Sequence, residues 1–255
     1  MYNFNVERVT NDCINWIKDW FDKVNPYGKA VIGISGGKDS TVTAALCVKA
    51  LGKDRVFGVL MPNGIQKDIA DAYKVVDYLD IKYQVCNISK GYEDICEICD
   101  ACGEIIPSKQ AMINLSPRLR MVTLYFIAQC LNGIVANTCN LSEDHVGYST
   151  IYGDMSGSFS PLGGLTVTEV KEIGRYLGLP IELIEKVPSD GLCGKTDEDN
   201  LGFTYAELDN YLRTGEIENI EHKKKIDMLY LKNKFKLKML HIDTFNPHIE
   251  MAIEH

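Results

Sequence analysis

A turn of glycines, serines and one carboxylate, Ser-Gly-Gly-Lys-Asp-Ser at residues 35–40, lies between a predicted strand and a predicted helix. Glycines let the backbone turn sharply and approach an anion closely. Successive backbone N–H groups and the N-terminus of the following helix attract negative charge. The hydroxyls of Ser35 and Ser40 would donate hydrogen bonds to phosphate oxygens, so the turn is typical of a phosphate-binding site.

The position of Asp39 distinguishes this turn from a Walker A loop, in which a lysine directly precedes the final hydroxyl residue. Here Asp39 precedes Ser40, and a carboxylate facing a triphosphate would repel it. A divalent cation bound between the two would remove that repulsion. The alternative is a tight strand–helix turn capped by Ser35. A strand before the turn and a helix after it favour phosphate binding.

The elements that must position this turn alternate between strand and helix, which predicts a mainly parallel sheet with helices on both faces. We expect a doubly wound α/β sheet of five strands, and residues 1–255 to form a single domain. Strands are predicted at 30–34, 55–62, 81–88 and 133–139. Helices are predicted at 5–24, from the turn to Leu51, at 69–79, 92–102 and 117–132, after Thr166 or Thr168, and within 204–212 and 222–240. Residues 187–202, rich in Gly and Asp, are predicted to form a mobile loop.

Composition limits the partners that this chain would bind. Its 255 residues carry a net charge of -8, which argues against a broad nucleic-acid surface. No apolar run approaches the roughly 20 residues that span a bilayer, and the N-terminus lacks the apolar core of a secretion signal. The nine cysteines, an odd number, fit reduced thiols better than a disulfide framework. We therefore expect a cytoplasmic protein with neither nucleic acid nor membrane as partner.

The turn resembles the signature of the PP-loop ATP pyrophosphatases, Ser-Gly-Gly-x-Asp-Ser. That resemblance implies that ATP is cleaved between its α- and β-phosphates while a substrate oxygen is adenylated. Over nearly its whole length the chain further resembles the ammonia-dependent NAD synthetases. The matching stretches are LMPNGIQ (60–66), NLSPRLRMVTLY (114–125), NTCNLSEDHVGYSTIYGD (137–154) and VPSDGLCGKTDEDNLGFTY (187–205). Each is modest alone, but together and in this order they are highly specific.

The resemblance implies an adenine nucleotide α-hydrolase-like fold with sites for ATP, Mg²⁺ and deamido-NAD. The implied ATP and pyrophosphate contacts are Gly33, Ile34, Ser35, Gly36, Gly37, Lys38, Asp39, Ser40, Gln66, Thr138 and Ser189. Deamido-NAD would contact Asn114, Arg118 and Lys236. Asp39 and Glu143 would bind Mg²⁺. They follow the first and fourth strands, whose ends can be neighbours in a doubly wound sheet, and carboxylate oxygens suit this ion. Taken alone, Glu143 as a helix cap and Arg118 in a surface ion pair are the alternatives.

The implied reaction needs no protein nucleophile. The nicotinate carboxylate of deamido-NAD attacks the α-phosphorus of ATP and pyrophosphate leaves. Ammonia then attacks the acyl-adenylate, which releases AMP and NAD. Asp39 would act in the first step, and Asp154 would bind ammonium and take its proton in the second. The length leaves no room for a glutaminase domain, so free ammonia or a partner is the expected nitrogen source.

The family is homodimeric, with the dinucleotide site at the subunit interface, so the resemblance implies a homodimer. The apolar helix 117–132 is the candidate surface. Several positions depart from the family pattern, and three of them concern charged residues expected near the nucleotides. Ile151 lies where relatives usually carry Lys or Arg, Ser158 where they usually carry Asp, and Val167 where many carry Lys. These departures keep open a non-catalytic nucleotide-binding relative, or a different second nucleotide.

Three cysteines at a spacing of three, Cys96, Cys99 and Cys102, allow two interpretations. They could hold a metal or an iron–sulfur cluster, as in PP-loop enzymes that thiolate tRNA. The same spacing places them on one stripe of an amphipathic helix, where small apolar side chains pack well. The absence of a second Cys-x-x-Cys pair favours packing, and the acidic net charge disfavours a tRNA thiolase.

Overall fold

The computed structural model describes residues 2–66, 68–186, 196–239 and 242–253. The strands are β1 (Lys29–Gly33), β2 (Val56–Leu60), β3 (Lys82–Val85), β4 (Gly133–Val135), β5 (Phe159–Ser160) and β6 (Asp243–Thr244). The helices are α1 (Val6–Val24), α2 (Lys38–Leu51), α3 (Ile69–Tyr78), α4 (Ser89–Ala101), α5 (Lys109–Cys130), α6 (Leu141–Val146), α7 (Val167–Tyr176), α8 (Ile181–Ile184), α9 (Asp197–Leu201), α10 (Tyr205–Thr214) and α11 (Ile220–Met239).

The central sheet has four parallel strands in the order β3-β2-β1-β4. In β1, Ala30 pairs with Val56 of β2 on one side and with Ile134 of β4 on the other. The chain moves outward from β1 through β2 to β3 and then returns to the other side of β1. The strand order therefore reverses between β1 and β4, which opens a crevice at their carboxyl ends.

The predicted α/β class and mainly parallel sheet are confirmed, but the prediction of five strands is wrong for the described residues. The short β5 approaches the continuation of β4 through one parallel bridge, Ala136 to Phe159, and pairs with β6 instead. Pro161 follows β5 directly. A proline has no backbone N–H to donate, so the pairing with β4 cannot extend further along the chain.

Both faces of the sheet are covered by helices, which explains the continuous apolar sequence of β1. Val31 packs with Leu124 of α5 on one face. Ala30 and Ile32 belong to the core cluster on the other face, which includes α1, α2 and α7. These three side chains of β1 are fully buried. Alternate residues of a strand point to opposite faces, so a strand covered twice must be apolar throughout.

Several predicted element boundaries need correction, and two corrections matter for the site. The helix predicted from 117 begins at Lys109, where Ser108 caps it by accepting from the N–H of Ala111. Pro117 lies inside this helix, although a proline is more common in a first turn. Within the loop predicted at 187–202, residues 197–201 form α9, and residues 187–195 lie outside the described part of the chain. A capping box between Thr196 and Asp199 starts α9.

The helices after β4 form a second apolar cluster, which packs α6, α9, α10 and α11 together. Leu208 and Leu212 of α10 and Ile226 of α11 are fully buried there. This cluster holds α6 against the carboxyl end of β4, next to the crevice. In the described part of the chain, no helix is long and apolar enough to cross a bilayer.

Candidate functional site

The turn after β1 places a glycine in a conformation and a space that exclude other residues. Gly36 has a φ of +79°, in the left-handed region that favours glycine. A Cβ atom there would lie 2.6 Å from the backbone nitrogen of Ala72 in α3. This close approach packs the turn against the first residues of α3. The backbone of the turn is therefore rigidly placed at the mouth of the crevice.

The hydroxyls of this turn are held close together and face the start of α2. The Oγ atom of Ser35 accepts from the N–H of Gly37 at 3.2 Å and lies 3.1 Å from the Oγ atom of Ser40. No side chain caps the N-terminus of α2 through its N-cap residue, Gly37. Because the first N–H groups of a helix have no partner within it, this N-terminus is suited to an anion. The turn thus has the features of a phosphate-binding nest.

Asp39 and Glu143 meet at the crevice, as their positions after β1 and β4 predict. Asp39 lies in the first turn of α2 and Glu143 in the first turn of α6. Asn140 links them, because its Nδ2 atom donates to Oδ1 of Asp39 at 3.0 Å and its Oδ1 atom accepts from the N–H of Glu143 at 3.0 Å. The side chains of Asp39 and Glu143 are only 18% and 16% exposed. The two carboxylates are therefore fixed on neighbouring helix starts.

Lys38 places its ammonium group between these two carboxylates. Its Nζ atom lies 2.7 Å from Oδ2 of Asp39 and 3.6 Å from Oε1 of Glu143, and its side chain is 2% exposed. Burial by itself would lower the pKa of Lys38, but Asp39 and Glu143 outweigh it and raise that pKa. Burial, followed by the charge of Asp39, raises the pKa of Glu143, and Lys38 opposes this effect.

The residues present fit a divalent cation. Asp39 and Glu143 supply hard oxygen ligands, and the ammonium group between them shows that the pair accommodates positive charge. Among the described residues, no group of three His, Cys, Asp or Glu side chains could hold a metal by itself. Phosphate oxygens and water would have to complete the coordination, which is the usual arrangement for Mg²⁺.

The other predicted ATP residues lie at the same edge of the sheet where they are described. Gly33 ends β1, and the N–H of Ile34 donates to the carbonyl of Val59 in β2. Gln66 follows β2 and Thr138 follows β4, and both are half-buried. Ser189 lies outside the described residues.

The predicted dinucleotide residues gather along α5 and the segment after α6. The hydroxyl of Thr150 donates to Oδ1 of Asn114 at 3.2 Å. The exposed Arg118 donates from Nε to the carbonyl of Ile151 at 3.3 Å. From α11, Nζ of Lys236 donates to the carbonyl of Gly147 at 2.7 Å and to that of Ser149 at 3.0 Å. The structure therefore brings two helices, α5 and α11, to this segment.

Two further carboxylates lie in this part of the crevice. Asp154 accepts from the N–H of Thr150 at 2.9 Å, and its side chain reaches solvent although much of the chain packs around its carboxylate. Burial raises the pKa of Asp154. Burial and the charge of Asp154 raise the pKa of Asp144 to about 7, while Lys236 opposes this shift. The side chains of Asp144, Asp154 and Lys236 therefore form one electrostatic group.

Sequence reasoning missed Asn140 and Arg120 as site residues. Asn140 had a local signal, because Asn three residues before Glu143 is typical of a helix N-terminus. Arg120 donates from Nε to the carbonyl of Met61 at 2.9 Å. Burial lowers the pKa of Arg120, and the charge of Asp154 opposes this shift. Arg120 lies two residues after Arg118 on the same helix, and nothing in the sequence distinguishes the role of one arginine from that of the other.

A buried carboxylate, Asp209 of α10, connects the first turns of α6 and α7. Its Oδ1 atom accepts from the hydroxyl of Ser142 at 2.5 Å. Its Oδ2 atom accepts from the N–H and the hydroxyl of Thr168 at 2.7 and 2.6 Å. Ser142 directly precedes Glu143. Asp209 is therefore a positioning residue that braces the helix start on which Glu143 sits.

Two cavities border the site. The larger has a volume of about 480 Å³ and is mainly apolar, and neither Asp39 nor Glu143 lines it. The smaller, about 180 Å³, lies beside Lys38 and reaches α7, α9 and α10. The larger cavity is lined by Met121, Val122, Tyr125, Tyr152, Ser156, Gly157 and Ile242. Val122 and Phe126 of α5 are 68% and 70% exposed, so an apolar surface continues along this helix.

The three cysteines of the Cys-x-x-Cys-x-x-Cys stretch do not form a buried stripe. Helix α4 has no buried residue. Cys96 and Cys99 are half-buried and Cys102 is exposed. The predicted packing is therefore wrong for Cys102 and incomplete for the other two. None of the three belongs to a potential metal-binding group among the described residues.

Comparisons with known proteins relate this geometry to one family. The family model described as NAD synthase matches residues 9–240. The chain is 42% identical over 214 residues to an NH(3)-dependent NAD(+) synthetase of Carboxydothermus hydrogenoformans. The aligned residues cover 83% of this chain and 87% of that protein. An NMN synthetase of Francisella tularensis superposes with a TM-score of 0.85 and 31% identity, over 95% of this chain and 100% of that one. An NH3-dependent NAD synthetase of Campylobacter jejuni, in complex with nitrate, superposes with a TM-score of 0.75 and 28% identity, over 94% and 99% of the two chains.

Proposed function

This chain belongs to the NAD synthase family, and from that premise we propose that it is an ammonia-dependent NAD⁺ synthetase. It is a ligase that amidates deamido-NAD with ammonia and ATP, and it releases NAD, AMP and pyrophosphate. The observation that carries this proposal is the meeting of Asp39, Glu143 and the phosphate-binding turn at the point where the strand order reverses. We also propose that the chain acts as one catalytic domain in the cytoplasm, without nucleic acid or membrane as partner.

The turn and the start of α2 bind the phosphates of ATP. Backbone N–H groups around Gly36 and the hydroxyls of Ser35 and Ser40 hold the β- and γ-phosphates in place. Gln66, Thr138 and Ser189 make further contacts with ATP. Asp39 and Glu143 hold Mg²⁺, which when bound neutralises charge on the leaving pyrophosphate. The protein thus orients the α-phosphorus toward the substrate carboxylate without any covalent bond to the enzyme.

The segment between α5 and α11 binds the second nucleotide and ammonia. Asn114, Arg118 and Lys236 supply hydrogen bonds and positive charge to the substrate. Asp154 binds ammonium beside the acyl group and takes a proton from it, so that neutral ammonia attacks. The upward direction of its pKa shift supports this role, because it moves the carboxylate toward the pKa range in which a general base is effective.

A homodimer completes the second-nucleotide site. The apolar surface of α5, defined by Val122, Tyr125 and Phe126, borders the larger cavity and is exposed in a single chain. Exposed apolar patches of this kind are typical of protein interfaces. A second copy pairing along α5 would bury this surface and close the cavity from one side.

A second candidate function is amidation of the smaller nicotinate mononucleotide to give NMN. The relative that superposes with a TM-score of 0.85 is an NMN synthetase, and the match covers 95% of this chain and 100% of that one. Ile151 also lacks the charge expected beside a dinucleotide, and Ser158 lacks the acidic partner of that charge. Both observations concern the second nucleotide, while the ATP site is the same for either substrate.

One assay separates these functions. The protein is incubated with Mg-ATP, ammonium and either deamido-NAD or nicotinate mononucleotide, and the amide product, AMP and pyrophosphate are measured. A higher kcat/KM for deamido-NAD supports NAD synthesis, and a higher kcat/KM for the mononucleotide supports the second candidate. ATP binding without turnover of either substrate would indicate a nucleotide-binding relative and would contradict both.

A further inference from the structure

Lys38 occupies the variable position of the phosphate-binding turn and has an unusual environment. It lies in the first turn of α2, where a positive side chain opposes the helix dipole. It is also almost completely buried, at 2% exposure, although lysine is rarely buried without a partner. A lysine in this place therefore needs strong compensation from neighbouring charges.

That compensation comes from the two carboxylates assigned to the metal. The ammonium group lies 2.7 Å from Asp39 and 3.6 Å from Glu143, which places it within the gap between them. The ring of Tyr205 lies 5.9 Å from the Nζ atom, and the buried Asp197 lines the same small cavity. Without a cation, Asp39 and Glu143 would be two poorly solvated like charges side by side, which is costly.

We propose that Lys38 is a tethered cation that neutralises Asp39 and Glu143 until a divalent cation arrives with ATP. A magnesium ion binds carboxylate oxygens at about 2.1 Å and cannot share the gap with an ammonium group. Free Mg²⁺ would therefore have to displace Lys38 without offering it another partner. Mg²⁺ bound to ATP brings phosphate oxygens, which give the displaced ammonium a new anionic partner. This inference rests on the metal-binding role of the carboxylates in the proposed function.

A lysine that competes with the metal would change metal binding in the absence of nucleotide. A purely structural ion pair or a simple phosphate ligand would not. If Lys38 competes with the metal, removing its charge must strengthen the binding of a divalent cation in the absence of nucleotide. If Lys38 only holds α2 in place, its removal would lower stability without any gain in metal affinity. If it only contacts phosphate, metal binding without ATP would not change.

The experiment measures Mn²⁺ binding to the nucleotide-free protein by titration calorimetry and by electron paramagnetic resonance. We expect Lys38→Met to bind Mn²⁺ at least about tenfold more tightly than the unaltered chain, because the variant lacks the positive charge that competes with the metal at close range. Lys38→Arg keeps the charge and should bind Mn²⁺ as weakly as the unaltered chain. Lys171→Met is the matched control, because Lys171 lines the same small cavity but pairs with Glu185 at 3.1 Å.

Thermal unfolding with and without Mn²⁺ covers the case in which Lys38→Met folds poorly. The inference expects Mn²⁺ to raise the midpoint of this variant strongly, or to restore its fold, while the unaltered chain shifts little. Equal Mn²⁺ affinity in both proteins, or a variant that stays unfolded with and without Mn²⁺, would overturn it. Neither measurement uses the amidation reaction. Turnover with unchanged Mn²⁺ affinity contradicts only this inference, whereas the expected Mn²⁺ behaviour without turnover contradicts only the proposed function.

Discussion

The ATP side of the crevice and its second-nucleotide side are built in different ways. On the ATP side, Asp39 is bound by both Lys38 and Asn140 and is mostly shielded from solvent. On the other side, Arg118 is exposed, and its described hydrogen bond goes to the backbone carbonyl of Ile151. One side is thus ordered by contacts within the chain, whereas the other presents its charged group to solvent.

Under the proposed function, this difference indicates which part of the site would depend on the substrate and on a second subunit. In the proposed function, phosphate binding uses backbone N–H groups and helix starts, which the fold holds in place without a ligand. In the same proposal, recognition of the second nucleotide uses side chains on the surfaces of α5 and α11. Surface side chains of this kind can change without disturbing the sheet. We expect substitutions on the two sides to have separable effects on ATP and on the second substrate.

The largest effect is expected from Asp39→Asn on the ATP side. Losing one metal carboxylate removes stabilisation of the leaving pyrophosphate, so AMP formation should fall by about 100- to 1,000-fold. The amide keeps the size of the side chain but removes the nearest charge partner of the buried Lys38, so the unfolding temperature should also fall, and the rate is measured well below it. Asp77→Asn, at an exposed position of α3, is the control and should leave the rate unaltered. A rate within a factor of a few of the original would show that Asp39 is not a metal ligand.

A second test separates the two sides through the subunit interface. Phe126→Glu puts a charge on the apolar surface of α5, so the dimer should dissociate and light scattering should report half the mass. Amidation should fall by about tenfold or more, since the second-nucleotide site is incomplete, while ATP affinity is retained. Val24→Glu, an equally apolar and 55% exposed position on α1, is the control. A monomeric variant with full amidation would show that one chain is sufficient.

A smaller effect is expected from Arg118→Ala on the second-nucleotide side. Loss of a charge-assisted hydrogen bond should raise KM for the preferred pyridine nucleotide by about tenfold. KM for ATP should stay constant, because Arg118 lies outside the phosphate turn. Lys109→Ala removes a charge from the exposed start of the same helix and serves as control. An equal rise in both KM values would mean that the two sides are coupled rather than separate.

The smallest effect concerns stability near the boundary between the two sides. Asp144 has its pKa raised from 3.8 to about 7 by burial, so the folded state binds its proton more tightly than the unfolded state does. Its contribution to stability is therefore favourable below pH 4 and is lost as the pH rises to about 7. Asp144→Asn should stabilise the protein by about 1–2 kcal/mol at pH 8 and by almost nothing at pH 4.

Urea unfolding of this variant at both pH values provides the measurement. Asp94→Asn, at an exposed position of α4, is the control and should show no such pH-dependent gain. A gain that is equal at pH 4 and pH 8 would mean that the charge of Asp144 is not the cause.

Local patterns made much of the ATP side predictable. The glycines and hydroxyls of the turn lie within six consecutive residues, and the structure places them between β1 and α2. Asp39 and Glu143 also follow from local positions, because both come just after strands that a doubly wound order makes neighbours. The link through Asn140 was harder to foresee, since its amide joins residues about a hundred positions apart.

Other features were not predictable because they depend on what packs against an element. The helix predicted at 117–132 begins two turns earlier, at a serine cap. The spacing of the cysteines in α4 allowed a packed stripe, but the structure leaves that helix without any buried residue. Periodicity shows which residues share a face, but it does not show whether another element covers that face.

By itself, the sequence determined the phosphate-binding turn, the alternation that produces a parallel sheet, and the family to which the chain belongs. Each depends on residue types over short distances, where backbone geometry and helix dipoles act directly. Only the tertiary structure decided that the ammonium of Lys38 lies between Asp39 and Glu143 and that α5 leaves an apolar surface exposed. A buried charge takes its position from all the charges around it, and these come together only when distant parts of the chain have folded.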